Sequence, residues 1–198
     1  VSGIARSRYA RGEQRRNELI AATIELISER GVEGVSHRLV AARAGVPLSS
    51  TSYFFGSIDD MIAAAVTEVC DGLLRRLESV SAQFVAGDVT VDEFVDRIVD
   101  VAMTVNRTEE IAQFEAYLAA DRRHDLRVAA ERVLSGFEAA ALEALRAIGV
   151  ANPEMLSRQI VAMIDGFALH RIVREGYDTA PHLAAAVKVL VEADSAPM

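Results

Sequence analysis

The chain has 198 residues, a mass of 21.4 kDa and a formal net charge of −8. With 51% hydrophobic and 25% charged residues it can bury a core, which excludes a disordered chain. Twelve Gly and four Pro are too few for a turn-rich all-β fold, and no apolar run approaches the roughly 18 residues that a membrane span needs, so no membrane partner is expected. The single cysteine, Cys70, excludes an internal disulfide and a multi-cysteine zinc site. Residues 1–12 carry arginines without an apolar run and do not read as a secretory signal, so a cytoplasmic protein is expected. The charge is uneven. Residues 1–56 hold eight Arg against five Asp/Glu, whereas residues 57–198 hold thirteen Lys/Arg against twenty-four Asp/Glu. Unless the arginines cluster by chance, this describes a basic contact region on an acidic body.

In chain order, almost every stretch reads as helix. From Arg15 to Arg30, Leu19, Ile20, Thr23, Ile24, Leu26 and Ile27 follow the 3.6-residue period, and Gly31 stands where a helix-terminating glycine belongs. After the short connection 32–35, Ser36 is an N-cap for a second helix running to Ala44, with Val35 and Val40 at the positions of a hydrophobic staple. Gly45 permits a tight turn, and Pro47 opens a short third helix to Phe54. Ser57 caps a long fourth helix in which Ile62, Val66, Val69, Leu73, Leu77, Val80 and Phe84 form one stripe, ended by Ala86-Gly87-Asp88. Further helices are predicted at 91–106, 109–121, 125–148, 154–175 and 180–193. The fold class is therefore all-α.

Two short helices joined by a glycine-containing turn describe a helix-turn-helix, whose second helix enters the major groove while the first crosses the backbone. That second helix is small and hydroxyl-rich, so its backbone can approach DNA closely. Leu48, Ser49, Ser50, Thr51 and Tyr53 on it are candidate contacts, Tyr53 through its phenol to a phosphate. Ser36, His37 and Arg38 open the preceding helix, and Arg38 can reach a guanine edge or a phosphate. Arg11, Arg15 and Arg16 precede or open the first helix and can clamp the flanking backbone. Arg43 is expected to face solvent, and Phe54 and Phe55 to be core.

Ala41-Ala42-Arg43-Ala44-Gly45-Val46 followed by Ser52-Tyr53-Phe54-Phe55-Gly56-Ser57 resembles the DNA-binding domain of the TetR family of bacterial transcriptional regulators, over residues 15–61. Two positions depart from the family's pattern: Ser52 stands where a tyrosine is usual, and Ile58, followed by Asp59 and Asp60, where a lysine is usual. The resemblance implies an N-terminal three-helix DNA-binding domain over 1–57 and a helical ligand-binding and dimerisation domain over 58–198. It implies a homodimer through the helices near 154–175 and 180–193, whose stripes are Ile160, Met163, Ile164, Phe167, Ala168 and Ile172, and Leu183, Ala184, Val187, Leu190 and Val191. A dimer also suits one short reading helix, which has too little surface for tight specific binding alone. An unidentified small ligand would bind among helices 91–175, with Met103, Phe114, Tyr117, Phe137, Met163, Phe167 and His170 as candidate walls. The implied function is a ligand-responsive repressor on double-stranded DNA with a palindromic operator, in which ligand shifts the fourth helix and so the spacing of the reading helices.

No enzyme constellation accompanies these features. His37, His124, His170 and His182 are scattered without an His-x-x-x-His pair, and neither a phosphate-cradling glycine loop nor a nucleophile elbow is present. No cofactor or metal is expected. Cys70 reads as a buried, inert thiol, and Asp121-Arg122-Arg123-His124-Asp125 as a solvated turn. The charge of −8 with Ser52 and Ile58 leaves open a small-molecule binder of the same fold with weak or no DNA binding.

Overall fold

The computed structural model describes residues 2–84 and 90–195. The regular elements are α1 (Ser2–Arg30), a 3-10 turn (Val32–Gly34), α2 (His37–Ala44), α3 (Leu48–Phe54), α4 (Ile58–Phe84), α5 (Val91–Met103), α6 (Arg107–Ala120), α7 (His124–Ala147), α8 (Pro153–Val173) and α9 (Ala180–Ser195). No strand occurs among the described residues. The expected break at Ala86-Gly87-Asp88 lies outside them, as do the side chains of Leu73, Leu77, Val80, Phe84 and Asp125.

Local chemistry sets most boundaries. Gly31 has φ 70° and donates to the Ile27 carbonyl at 2.9 Å, closing α1. The Ser36 hydroxyl accepts from the Leu39 amide at 3.4 Å and caps α2, with Val35 and Val40 buried on either side of it. The Ser57 hydroxyl accepts from the Asp60 amide at 3.0 Å at the start of α4. Two boundaries differ from the sequence reading by more than two residues. Helix α1 begins at Ser2, because residues 2–14 lack an apolar period yet are rich in Ala, Arg, Glu and Gln, which favour helix intrinsically. Helix α5 stops at Met103 rather than 106. The Thr104 hydroxyl donates back to the Val101 carbonyl at 2.7 Å, and the Asn106 side chain accepts from the Glu109 amide at 2.9 Å, which caps α6 and starts it at Arg107.

The chain forms two compact units, Val1–Val69 with Ile111–Ala130, and Cys70–Glu110 with Glu131–Met198. The first three turns of α4 go with the N-terminal helices, where Met61, Ile62, Ala65 and Val66 are among the buried side chains. In the first unit α1 packs on α2 and α2 on α3. Leu19, Leu26, Ile27, Val40, Met61 and Ile62 are fully buried, and the buried Thr23 hydroxyl donates to the Leu19 carbonyl at 2.7 Å.

In the second unit Phe94, Val95 and Ile98 of α5, Leu145 of α7, Leu156 and Ile160 of α8, and Leu183, Val187 and Val191 of α9 form one core. Each fully buried side chain of this size contributes about 2 kcal/mol of burial free energy. Met163, Ile164, Phe167, Ala184 and Leu190 pack against it. Most of the periodic stripes read from the sequence on α8 and α9 thus face this core. A different stripe is exposed: Met155, Ala162, Leu169 and Val173 on α8, and Ala185 and Val189 on α9. Gly166 lies on the α8 stripe with open space where a Cβ would stand.

Candidate nucleic-acid interface

The turn between α2 and α3 depends on Gly45. Its φ of 67° and ψ of 29° are left-handed, and the Gly45 and Val46 amides donate to Ala42 and Ala41 at 3.4 and 3.0 Å. Pro47, with φ −58°, then turns the chain into α3, where the Ser50 amide donates to the Pro47 carbonyl at 2.9 Å.

Helix α3 divides cleanly. Leu48 (52% exposed), Ser49, Ser52 and Tyr53 (81% exposed) share the outer face. Ser50 and Thr51 are buried, and the Thr51 hydroxyl donates to the Leu48 carbonyl at 2.8 Å. Thr51 therefore packs the helix in place and does not reach the outer face. Ser52 shares the outer face. The sequence reading passed over it, although its spacing from Leu48 and Ser49 puts it on their face.

Arg11 and Arg15 lie within α1 and not on an arm before it. With Gly12 they form one wall of a groove of about 560 Å³ whose other wall is Ser49, Ser50, Tyr53 and Phe54. Two arginines one helical turn apart thus meet the hydroxyl-bearing helix across an open concavity. Tyr53 is held edge-to-face against Phe54, with ring centroids 4.9 Å apart. Arg16 is directed elsewhere, its guanidinium carbon 5.5 Å from the centre of the Phe55 ring. Ser36 and His37 are half-buried, Arg38 is exposed, and the buried Nδ1 of His37 has no hydrogen-bond partner among the described residues.

Two arginines pair with carboxylates near the surface, and Arg43 is exposed as expected. Arg43 donates to Glu25 at 2.9 Å and to both oxygens of Glu29 at 2.9 and 2.6 Å, tying α2 to α1. The hydrogen bond from Arg43 holds the Glu29 carboxyl below its ordinary range. Arg123, in the stretch read as a solvated turn, donates to Asp59 at 2.7 Å and to Glu33 at 2.8 Å.

The candidate ligand walls are divided between the units. Phe114 and Tyr117 belong to the first, edge-to-face at 6.0 Å, and Gln113 donates to the Tyr117 oxygen at 2.9 Å. Met103, Met163 and Phe167 each pack against the core of the second. Phe137 is also buried in that unit, while His170 is exposed with its ring 6.3 Å from Phe167. The Met103 sulfur is engaged by Arg171 at 3.0 Å. Arg171 also donates to Thr179 at 3.1 Å, to the Ala102 carbonyl at 3.3 Å, and to the buried Glu110 carboxylate. Nearby Asp165 is raised to about 6, first by burial and then by the charge of Glu110. Cys70 is fully buried and its thiol is pushed up to about 12, chiefly by desolvation, as an inert thiol should be. Among the described residues no group of three or more His, Cys, Asp and Glu could hold a metal ion, and no helix is long and apolar enough to cross a membrane.

The arrangement has counterparts. A model described as bacterial regulatory proteins, tetR family, matches residues 19–65, and one described as tetracyclin repressor-like, C-terminal domain, matches residues 89–193. The chain is 27% identical over 169 residues to the HTH-type transcriptional regulator PksA of Bacillus subtilis, covering 81% of this chain and 80% of that protein. It is 28% identical over 166 residues to the HTH-type nicotine-responsive transcriptional repressor HdnoR of Paenarthrobacter nicotinovorans, covering 78% and 82%. Among solved structures, the multidrug binding protein EbrR complexed with ethidium superposes with a TM-score of 0.68 at 31% identity, covering 89% of this chain and 98% of that one. The second family model alone spans more than half of the sequence, and together with the reading head it settles the classification: the chain is no enzyme but a DNA-binding transcriptional regulator, and it belongs to the TetR family.

Proposed function

We propose that the chain is a ligand-responsive repressor that binds a palindromic operator as a homodimer in the cytoplasm. One observation carries the DNA-reading part: the groove in which Arg11 and Arg15 face Ser49 and Tyr53. In this reading the arginines take the phosphates that set register, while Leu48, Ser49, Ser52 and Tyr53, with Arg38 from α2, meet base edges and the adjoining backbone.

The exposed stripe of Met155, Ala162, Leu169 and Val173 on α8, with Ala185 and Val189 on α9, supports the dimer. An apolar stripe of this length suits a partner better than water, and Gly166 lets a second helix approach closely. A two-fold pair would present two reading helices about 34–36 Å apart, one turn of duplex. HdnoR responds to nicotine and EbrR holds ethidium, by their names; a small organic ligand fits the same role here. Phe137, Met163, Phe167 and His170 of the second unit are its proposed contacts. A ligand that favours the DNA-incompetent state weakens DNA binding, and by linkage DNA weakens ligand binding by the same factor.

Selection of sites from a random duplex pool at two salt concentrations tests this. An enriched palindrome with half-sites one turn apart, lost at high salt, is the expected result. A stable dimer that enriches nothing would replace this reading with a small-molecule binder of the same fold.

A further inference from the structure

We propose that Arg123 is a positioning residue for operator binding, a clamp that sets the reading helices without touching DNA. Its guanidinium bridges two carboxylates far apart in sequence, Asp59 at 2.7 Å through Nη1 and Glu33 at 2.8 Å through Nη2. Glu33 lies in the 3-10 turn just before α2, and Asp59 is the second residue of α4, just after α3. The two contacts therefore bracket the whole α2–α3 pair. One planar side chain, itself only 23% exposed, pins both ends of that pair to the turn between α6 and α7.

A second contact places the same segment against α6, which leads into that turn. A Cβ at Gly31 would come within 2.9 Å of the Glu115 carboxylate on α6. Residues 31–33 thus meet the 111–130 segment at two points, one steric and one ionic. The chemistry suits arginine specifically. A flat fork can serve two carboxylates at once with fixed directions, whereas an ammonium is a point charge that fixes neither. Partly exposed ion pairs of this kind add little to fold stability, so orientation is the property this one can supply.

Charge sharpens the argument. Asp59 and Asp60 occupy the first turn of α4, where acids favour the helix but repel a phosphate. If the only effect of Asp59 on DNA were its charge, neutralising it would tighten binding. If Asp59 matters as the anchor of Arg123, neutralising it loosens binding although a negative charge has been removed. The two readings give opposite signs for the same substitution.

The experiment uses the full chain and the duplex that the wild type enriches from a random pool. Affinity and its salt slope are measured well below the melting temperature of each variant. Arg123→Gln is expected to weaken binding about tenfold with an unchanged salt slope, since no phosphate contact is lost. Asp59→Asn is expected to weaken it severalfold, and Arg123→Lys to recover only part of the loss. Tighter binding by Asp59→Asn, or unchanged affinity in Arg123→Gln, overturns the proposal. A salt slope reduced by about one in Arg123→Gln overturns it as well, because Arg123 would then be a phosphate ligand. Should Arg123→Gln fail to fold, the sign of the Asp59→Asn effect decides by itself.

Discussion

The arginines of the two units do different work. In the first unit they stay near the surface: Arg11 and Arg15 line an open groove, and Arg43 and Arg123 reach exposed or half-exposed carboxylates between helices. In the second unit Arg171 is turned inward onto Glu110, Thr179, Met103 and the Ala102 carbonyl, all on neighbouring elements of the same core. Solvent screens the first kind, so its pairs orient more than they stabilise. The second kind is high-stakes. Its pair offsets its own desolvation only while both partners and their hydrogen bonds are present. The groove keeps Arg11 and Arg15 reachable, whereas the core of the second unit takes Arg171 inward while Arg146 and Arg158 of that unit pair at the surface.

Removing the inward arginine is the strongest way to break this contrast. Arg171→Ala leaves Glu110 buried without its cation and should cost about 3–5 kcal/mol in chemical denaturation. Arg43→Ala in the first unit should leave the denaturation midpoint nearly unchanged by the same method. Comparable losses would erase the distinction.

Asp165 supplies a pH test of the same interior. Its folded value of about 6 lies above the ordinary 3.8, so the folded state holds the proton more tightly than the unfolded chain does. The stability contributed by the protonated form is full below about pH 4 and is lost as pH rises through about 6. Asp165→Asn should therefore match wild type near pH 4 and exceed it by about 1–2 kcal/mol at pH 8, after discounting for partial exposure. Equal stability at both pH values would mean that Asp165 is well solvated.

Smaller effects probe the groove. Arg15→Gln should lower duplex affinity by roughly an order of magnitude and reduce the salt slope by about one, with no change in melting temperature. The smallest expected effect is a gain. Ile58→Lys adds a cation beside the first turn of α4 and should raise affinity severalfold while steepening the salt slope by about one. No gain would indicate that the phosphate path stays clear of that corner.

The punctuation of the fold was legible because it is local. Gly31, Gly45, Ser36 and Ser57 act within four residues of themselves, and each does what its residue type dictates. The ion pairs were not legible, since Arg123 finds Asp59 and Glu33 across 64 and 90 residues and Arg171 finds Glu110 across 61. Periodicity gave α8 and α9 an apolar stripe but not its direction. Ile160 and Leu183 turned out to face the core, and the side bearing Leu169 and Val189 is the exposed one. On α3 the run of hydroxyls hid a division that only packing reveals, Thr51 inward and Ser52 outward. The length of α1 was missed because helix-favouring residues without an apolar stripe leave no period to count.

That division of α3 has a consequence for retargeting. Positions 48, 49, 52 and 53 can be varied as a library without disturbing the packing that Ser50 and Thr51 maintain, so under the proposed function operator preference and folding would be encoded on separate letters of the same seven-residue word. A new binding sequence could be evolved on four residues while the rest of the regulator is left as it stands.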